Sequence, residues 1–316
     1  TNPALGPLSR GTRAVCDFDE EVITMAVAAA RHCRGSSAAG GLFLGSTTMP
    51  FADRLNASVV AAAMDLGEGT AAYDLGGSLR SGLSALALAL GPGAGDAPRL
   101  CIAAERRRGP PGTTLEMTSG DGAVAFLVGS DNVIARLVGR AVRTLDFVDH
   151  YRRSDQSADF GWEERWVRDE GFQKILPGLV ADLLAAHGVA PGDVDHFILP
   201  GTVAGVQAMV AARAGIRADA VRDPLAASCG DTGSAHPLLM LADALGTAGP
   251  GETILVVQFA QGGEALLFQT TDHIAGWRRP DVQAALASGT MPLPLLRHLA
   301  FSDQLHVDFG IRGETV

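Results

Sequence analysis

The chain is poor in charged residues, in aromatic residues and in cysteine. Charged residues make up 19% of its 316 residues and aromatic residues 5%. Its four cysteines, at positions 16, 33, 101 and 229, form no CxxC pair and have no metal-type spacing to a histidine. The sequence therefore predicts reduced thiols and no metal site.

The chain also lacks long apolar and long basic runs. No stretch approaches the ~18 unbroken apolar residues of a membrane span, and the N-terminal region has no signal-type apolar core. The longest basic run is Arg106-Arg107-Arg108, and the net charge is −10. Nucleic-acid binding needs a clustered basic face, so this balance argues against it. We expect a soluble, cytoplasmic protein that binds neither nucleic acid nor membrane.

The composition and a hidden repeat favour a duplicated α/β protein. Hydrophobic residues make up 47% of the chain, and the length suggests two units. FLGST at Phe43 matches ILPGT at Ile198, and LALALG at Leu86 matches LADALG at Leu241, each at an offset of 155. A third pair of helical segments has an offset of 156. We predict similar halves over 1–150 and 151–316, with an irregular cap over about 149–170.

The duplication predicts where chemistry would lie. Apolar helices are predicted near Leu79 and from His236, with their N-termini close together at the centre of the molecule. A helix N-terminus offers free N–H groups and positive potential, which suit a nucleophile or an oxyanion. The segments GGSLRSG and SCGDTGSAH are therefore the expected site. TILVVQFAQGGEALLFQTT predicts a β-hairpin that turns at Gly262-Gly263.

Several motifs, in order and over nearly the whole chain, resemble the thiolase superfamily, closest to its 3-hydroxy-3-methylglutaryl-CoA synthase and type III ketoacyl synthase branch. They are DEEVITMAVAAA, LGSTTMPFADRLNASVV, AYDLGGSLRSGLSALALA, SGDGAVAFLVG, GDTGSAHPLLMLADAL and ILVVQFAQGGEALLF. The resemblance implies a five-layered αβαβα fold of two duplicated halves and a dimer. It also implies acyl-CoA or CoA as a ligand, with no permanently bound cofactor.

The resemblance also shows which reactive groups are missing. The family's nucleophilic cysteine, at the start of the central helix, corresponds to Leu79. Its histidine corresponds to Gly201, or to Pro200 if the register shifts by one. The asparagine of its G-N-T-G-like motif corresponds to Asp231, and the general-acid glutamate of the synthase branch corresponds to Thr47. Four substitutions together argue against ordinary Claisen condensation, and no catalytic residue is predicted at these positions.

Three other side chains are weak substitutes for the missing groups. Cys229 precedes GDTG and would have Asp231 or His236 as its base, but it also fits a small pocket-lining residue. Ser78 would need an adjacent base, and the local segment offers none, so a helix-capping role fits it better. His236 opens the second central helix, where it either faces the pocket or has no part in catalysis.

Candidates for ligand binding are equally open. Arg80 and the run at 106–108 could pair with coenzyme A phosphates, although such charge runs are usually solvated. Trp162 and Phe172 could line an acyl or pantetheine tunnel by resemblance, or form an aromatic cap on the core.

Two functions follow from the resemblance. The first is a subunit of an acyl-CoA thiolase or acyltransferase complex that lacks its own nucleophile. Its partners would be a cysteine-bearing thiolase and a zinc-binding OB-fold protein, with a homo- or heterodimer through the thiolase interface. The alternative is an active acyltransferase or condensing enzyme with altered catalytic residues, acting on acyl-CoA or an acyl carrier.

Overall fold

The computed structural model describes residues 3–34, 39–92, 97–277, 281–289, 294–301 and 304–305. Its strands are β1 (Gly41–Gly45), β2 (Ala71–Leu75), β3 (Arg99–Arg106), β4 (Asp121–Val128), β5 (Ala135–Thr144), β6 (His150–Tyr151), β7 (Phe160–Gly161), β8 (His196–Ile198), β9 (Thr253–Phe259) and β10 (Gly262–Thr270). Its α-helices are α1 (Val22–Arg34), α2 (Asn56–Ala63), α3 (Ser81–Ala89), α4 (Thr114–Thr118), α5 (Glu164–Trp166), α6 (Gln173–Ala186), α7 (Val206–Ala214), α8 (Ala226–Cys229), α9 (His236–Thr247), α10 (Val282–Ala287) and α11 (Leu295–Phe301). Within the described residues, no helix is long and apolar enough to cross a membrane.

The first sheet has the strand order β2-β1-β3-β4. Strand β1 pairs in parallel with β2 and β3, and β4 is antiparallel to β3. Strand β3 is a nearly continuous buried run, as expected for a strand covered on both faces by helices. Strand β2 is an outer strand and is much more exposed.

The second sheet has the order β5-β10-β9-β8. The predicted hairpin is confirmed as β9 and β10, but its turn is at Ala260 and Gln261 rather than at the two glycines. Gln261 adopts a positive φ of 46°. Gly262 opens β10 at φ +98°, and a Cβ there would lie 2.0 Å from the Arg143 carbonyl oxygen. Glycine is needed at this position because β5 approaches too closely for a side chain.

The predicted duplication is confirmed by strand connectivity. In both sheets a short strand runs parallel to a long buried strand, which pairs with an antiparallel strand: β1, β3, β4 and β8, β9, β10. The place of β2 in the second half is taken by a single parallel bridge between Phe197 and Val221. Strand β5 pairs with β10, so the second sheet already includes residues 135–144, which the predicted boundary at 150 places in the first half.

The layers form the five-layered αβαβα arrangement. Helices α1 and α2 share a hydrophobic core with one face of the first sheet, and α6 and α7 share another with the second sheet. Helices α3 and α9 share the core between the sheets. They begin in close contact, since a Cβ on Gly82 would lie 2.0 Å from the Ser234 carbonyl oxygen. The predicted meeting of the two helix starts is thus confirmed.

The segment at about 149–170, predicted as an irregular cap, contains short elements. Strands β6 and β7 pair as a small ribbon, and α5 continues into a π-helix over Val167–Phe172 that leads into α6. The cap covers the region where α3 begins, and its side chains line two cavities there.

Candidate active site

Leu79 lies between the two cavities. It follows the turn after β2, where Gly77 has φ +80°, and precedes the first residue of α3. Its side chain is 4% exposed, and it lines both a cavity of about 430 Å³ and a smaller one of about 180 Å³. A helix start favours negative charge, but a hydrocarbon side chain cannot use that potential.

The structure brings the other three positions to which the resemblance assigns reactive groups to the same cavities. Gly201 and Asp231 line the larger cavity, and Thr47 lines the smaller one. Gly201 has φ +155°, and a Cβ there would lie 3.3 Å from Val206 Cγ1. A larger residue at this position would therefore need both a strained backbone and a shift of its neighbour.

The weak substitute nucleophile Cys229 is outside the lining of both cavities. It is 1% exposed, and its Sγ contacts the carbonyl oxygens of Leu225 and Gly230, each at 3.3 Å. Burial, and then Asp231 and Asp223, raise the pKa of its thiol to about 11. The thiolate required for attack on a thioester is therefore disfavoured at neutral pH.

His236 is held by the backbone around it. Its Nδ1 accepts a hydrogen bond from the Thr232 backbone N–H at 3.0 Å, and its Nε2 donates to the Pro224 carbonyl at 2.6 Å. It is 1% exposed and lies outside the lining of both cavities. With both ring nitrogens engaged, it is a structural histidine that ties α9 to the preceding loop.

Ser78 lines the smaller cavity and interacts with the start of α3. Its Oγ accepts a hydrogen bond from the Arg80 backbone N–H at 3.3 Å, and its carbonyl accepts one from Ser81 Oγ at 2.5 Å. The N-cap of α3 is Arg80, and no side chain caps the helix, so the helix-capping interpretation of Ser78 is wrong. The serine instead orders the turn just before the helix.

The three ligand-binding candidates lie in different places. Trp162, 53% exposed, and Phe172, which is buried, both line the larger cavity. Arg80 is in the lining of neither cavity. Its guanidinium donates to the carbonyl oxygens of Arg143 and Gly263, each at 3.3 Å, so it joins α3 to the second sheet.

The interpretation of residues 106–108 as a solvated run is wrong for Arg107, whose side chain is 3% exposed. One guanidinium nitrogen lies 2.9 Å from Asp231 Oδ2 and another lies 3.4 Å from Asp159 Oδ2. Burial acts to lower the pKa of Arg107, but Asp231, Asp159 and Asp149 together raise it above its ordinary value. The side chain is buried just after the end of β3. Its aspartate partners lie 52 and 124 positions further along the chain.

A second buried charge that the sequence did not reveal is Glu105, which is fully buried. Its carboxylate accepts hydrogen bonds from Ser234 Oγ at 2.7 Å and from the Thr47 backbone N–H at 3.1 Å. Ser46 and Thr48 hydroxyls complete its shell. Glu105 thus connects the loop after β1 to the loop before α9, across the boundary between the halves.

A His–Asp pair in the cap was also missed. His150 Nδ1 lies 3.0 Å from Asp149 Oδ1, and the two side chains are 11% and 31% exposed. Burial acts to lower the pKa of His150, but Asp149 raises it above the ordinary 6.5. Burial acts to raise the pKa of Asp149, but His150 and Arg107 hold it below 3.8. The adjacent Asp and His in DHYRR were the only sequence signal for this pair.

Chemically, the site therefore offers acid–base groups and buried ion pairs but no thiol. The lining of both cavities, as formed by the described residues, contains no cysteine. In the same part of the chain, no group of three or more His, Cys, Asp or Glu side chains is placed to hold a metal ion.

Comparison with known proteins gives a consistent set of relatives. No family model matches the chain. A hydroxymethylglutaryl-CoA synthase of Caldivirga maquilingensis is 27% identical over 309 residues, covering 95% of this chain and 84% of that protein. One of Methanocella arvoryzae is 28% identical, covering 82% of this chain and 76% of that protein.

Solved structures share the fold. An HMG-CoA synthase complexed with CoA superposes with a TM-score of 0.76 at 16% identity, covering 90% of this chain and 78% of that one. A 3-oxoacyl-(acyl carrier protein) synthase III from Pseudomonas aeruginosa superposes with a TM-score of 0.70 at 20% identity, covering 83% of this chain and 88% of that one. The chain is therefore a thiolase-fold protein, related over most of its length to hydroxymethylglutaryl-CoA synthases.

Proposed function

We propose that the chain is a subunit of an acyl-CoA acyltransferase complex of the thiolase type, and that it forms no covalent acyl-enzyme itself. A cysteine-bearing thiolase supplies the nucleophile, and a zinc-binding OB-fold protein completes the complex. The observation that supports this most directly is the buried Leu79 at the start of α3, between the two cavities.

The surroundings of Leu79 support the same conclusion. Covalent catalysis needs a nucleophile with a base beside it. Cys229 is outside both cavities, and the pKa of its thiol is raised to about 11. Gly201 stands where the family has a histidine, and Asp231 is paired with Arg107 rather than free to act on a substrate.

The larger cavity is suited to an acyl thioester. Its volume of about 430 Å³ lies within the ~300–1,000 Å³ range of small-molecule sites. Trp162 and Phe172 supply apolar wall, and the solved HMG-CoA synthase named above is complexed with CoA. In our proposal CoA or acyl-CoA is a passing ligand of this cavity.

The outer edge of β2 is the proposed contact with the thiolase partner. Strand β2 is the last strand of its sheet within the described residues, so its outer backbone edge is open to a further strand. Tyr73 on this strand is 50% exposed and stacks on Phe43, with ring centroids 5.0 Å apart. An open edge that presents an aromatic ring fits a partner that extends the sheet.

Co-expression with the products of neighbouring genes, followed by intact-mass analysis after incubation with acetyl-CoA, tests the proposal. We expect a stable hetero-oligomer in which the acetyl adduct forms on the partner and not on this chain. A homodimer that acetylates itself and turns over acyl-CoA without a partner would contradict the proposal. An adduct on Cys229 or Ser78 would identify the residue responsible.

The partner surface has its own test. Tyr73→Lys places a charge on the β2 edge and is expected to weaken co-purification. Val138→Lys is the matched control, because Val138 is 37% exposed on β5, the outer strand of the other sheet. Equal retention of the partner by both variants would exclude the β2 edge as the contact.

The alternative function is direct acyl transfer by this chain without a covalent intermediate. One observation favours it: the His150–Asp149 pair lines both cavities and offers acid–base groups there. Turnover by the chain alone with no mass adduct would support this alternative.

A further inference from the structure

The junction of the two cavities is built from four side chains. Leu79, Asp149, His150 and Asp159 are the residues that line both cavities. Three of them are titratable, and the fourth stands at the family's nucleophile position. Both cavities therefore present Leu79 and His150 to a ligand.

The two aspartates at this junction differ in their partners. Asp159 is 4% exposed and is neutralised by Arg152 at 2.6 Å and by Arg107 at 3.4 Å. Asp149 instead has its Oδ1 3.0 Å from His150 Nδ1. This contact is an ion-pair distance that does not meet hydrogen-bond geometry, and Nδ1 has no hydrogen-bond partner among the described residues. Because a carboxylate oxygen only accepts, its closeness favours the tautomer in which Nδ1 carries the proton. In that tautomer Nε2 is the ring nitrogen left for chemistry.

The other ring nitrogen is the one available to a ligand. His150 Nε2 lies 4.0 Å from Asp159 Oδ2, which is beyond hydrogen-bond distance. A histidine with a carboxylate 3.0 Å from Nδ1 and with its ring at a cavity is placed for general acid–base catalysis through Nε2.

We infer that His150, positioned by Asp149, is a proton-transfer group that acts on an acyl thioester beside Leu79. The inference rests on the proposed function in one respect, that the cavity binds acyl thioesters. It goes further, because it assigns this subunit a chemical step that needs no nucleophile of its own. His150 would touch the substrate, whereas Asp149 acts through His150.

The step is a reversible proton transfer. The C2–H bond of the acyl group breaks, an Nε2–H bond forms, and the electron pair moves onto the thioester carbonyl as an enolate. The imidazolium then returns a proton to C2. In D2O the returned proton is replaced by a deuteron from solvent, so exchange at C2 reports the step without knowledge of the acyl acceptor.

The test measures loss of the acetyl methyl signal of acetyl-CoA in D2O by NMR. A cysteine-bearing partner could exchange these protons itself, so the full chain is purified alone. We expect exchange that His150→Gln slows by about 100-fold or more, the lower range for a lost acid–base group. Wild type without exchange above the buffer rate, or His150→Gln exchanging at the wild-type rate, would refute the inference.

Two further variants separate catalysis from structure. Asp149→Asn is expected to slow exchange by roughly tenfold and to move the pH midpoint of the rate downward, because the carboxylate no longer raises the His150 pKa. Arg107 and Asp159 also face His150 and stay unchanged. His196→Gln is the matched control: His196 Nε2 lies 2.7 Å from Glu252, it is 12% exposed, and it lines neither cavity.

The control must exchange at the wild-type rate, and a slowed control would overturn the assignment to His150. Failure of this inference is distinct from failure of the proposed function. The proposed function fails if acyl-CoA acetylates this chain covalently, which is a mass measurement. The inference fails on the rate of deuterium exchange, which requires no adduct.

Discussion

Replacing Arg107 with methionine removes the charge that holds the larger cavity's polar wall together. The guanidinium is 3% exposed and lies 2.9 Å from Asp231 and 3.4 Å from Asp159. Breaking a buried ion pair typically costs about 3–5 kcal/mol, because the remaining charge stays buried without its partner. Asp159 keeps Arg152, and Asp231 keeps the Gly233 backbone N–H at 2.8 Å.

We therefore expect Arg107→Met to lower the free energy of unfolding by about 3 kcal/mol, the lower end of that range. Urea unfolding followed by far-UV circular dichroism measures it. The double variant Arg107→Met/Asp231→Asn removes one stranded charge, so it should recover part of the loss. The coupling in this double-mutant cycle is expected to exceed about 1 kcal/mol.

The control is Arg153→Met. Arg153 pairs with Asp155 at 3.2 Å, but both side chains are more than 60% exposed. Such surface pairs contribute about 0–1 kcal/mol, so this variant should unfold almost as the wild type does. A loss below about 1 kcal/mol for Arg107→Met, or a loss equal to that of the control, would refute the argument from burial.

Four other outcomes are expected. Leu79→Cys places a thiol at the start of α3 but supplies no histidine at position 201. Mass analysis with acetyl-CoA should therefore find no turnover, and steady condensation would contradict this. In native protein Cys229 should react with Ellman's reagent only after urea unfolding, because its pKa is raised to about 11. The His150–Asp149 pair should stabilise the fold most between pH 3.8 and 6.5. The pKa of His150 is raised by folding, so its contribution is lost as the pH rises through the folded pKa of His150. The pKa of Asp149 is lowered by folding, so its contribution is lost as the pH falls through the folded pKa of Asp149. The urea midpoints of wild type and His150→Gln should therefore converge as the pH rises through the folded pKa of His150, and a constant gap would count against the pair. Gln258 lines the larger cavity, and its buried Oε1 has no hydrogen-bond partner in the described residues. Gln258→Leu should therefore change the free energy of unfolding in urea by less than about 1 kcal/mol, and a larger loss would indicate that Oε1 has a structural role.

Local pattern was sufficient for the internal repeat and for the two central helices, whereas the five-layered architecture was implied by the resemblance. The repeated FLGST and ILPGT segments became the equivalent strands β1 and β8, and the apolar runs became α3 and α9 with their starts in contact. Such features follow from hydrophobic periodicity and turn residues a few positions apart, which act locally. The predicted position of the turn after β9 was wrong, because Gly262 is required by the close approach of β5, a strand that is distant in sequence.

The place of Leu79 was also readable from the sequence, since it lies between a recognisable strand and a recognisable helix, and the resemblance assigns that place to the family's nucleophile. Only the tertiary structure decided which charges are buried. Arg107 and Asp231 are 124 positions apart, and nothing in the run at 106–108 distinguishes its middle residue from its neighbours. Burial and pairing depend on which segments the fold brings together, so the ion pairs at the cavity and the His150–Asp149 pair beside Leu79 became visible only once the cap was placed over the start of α3.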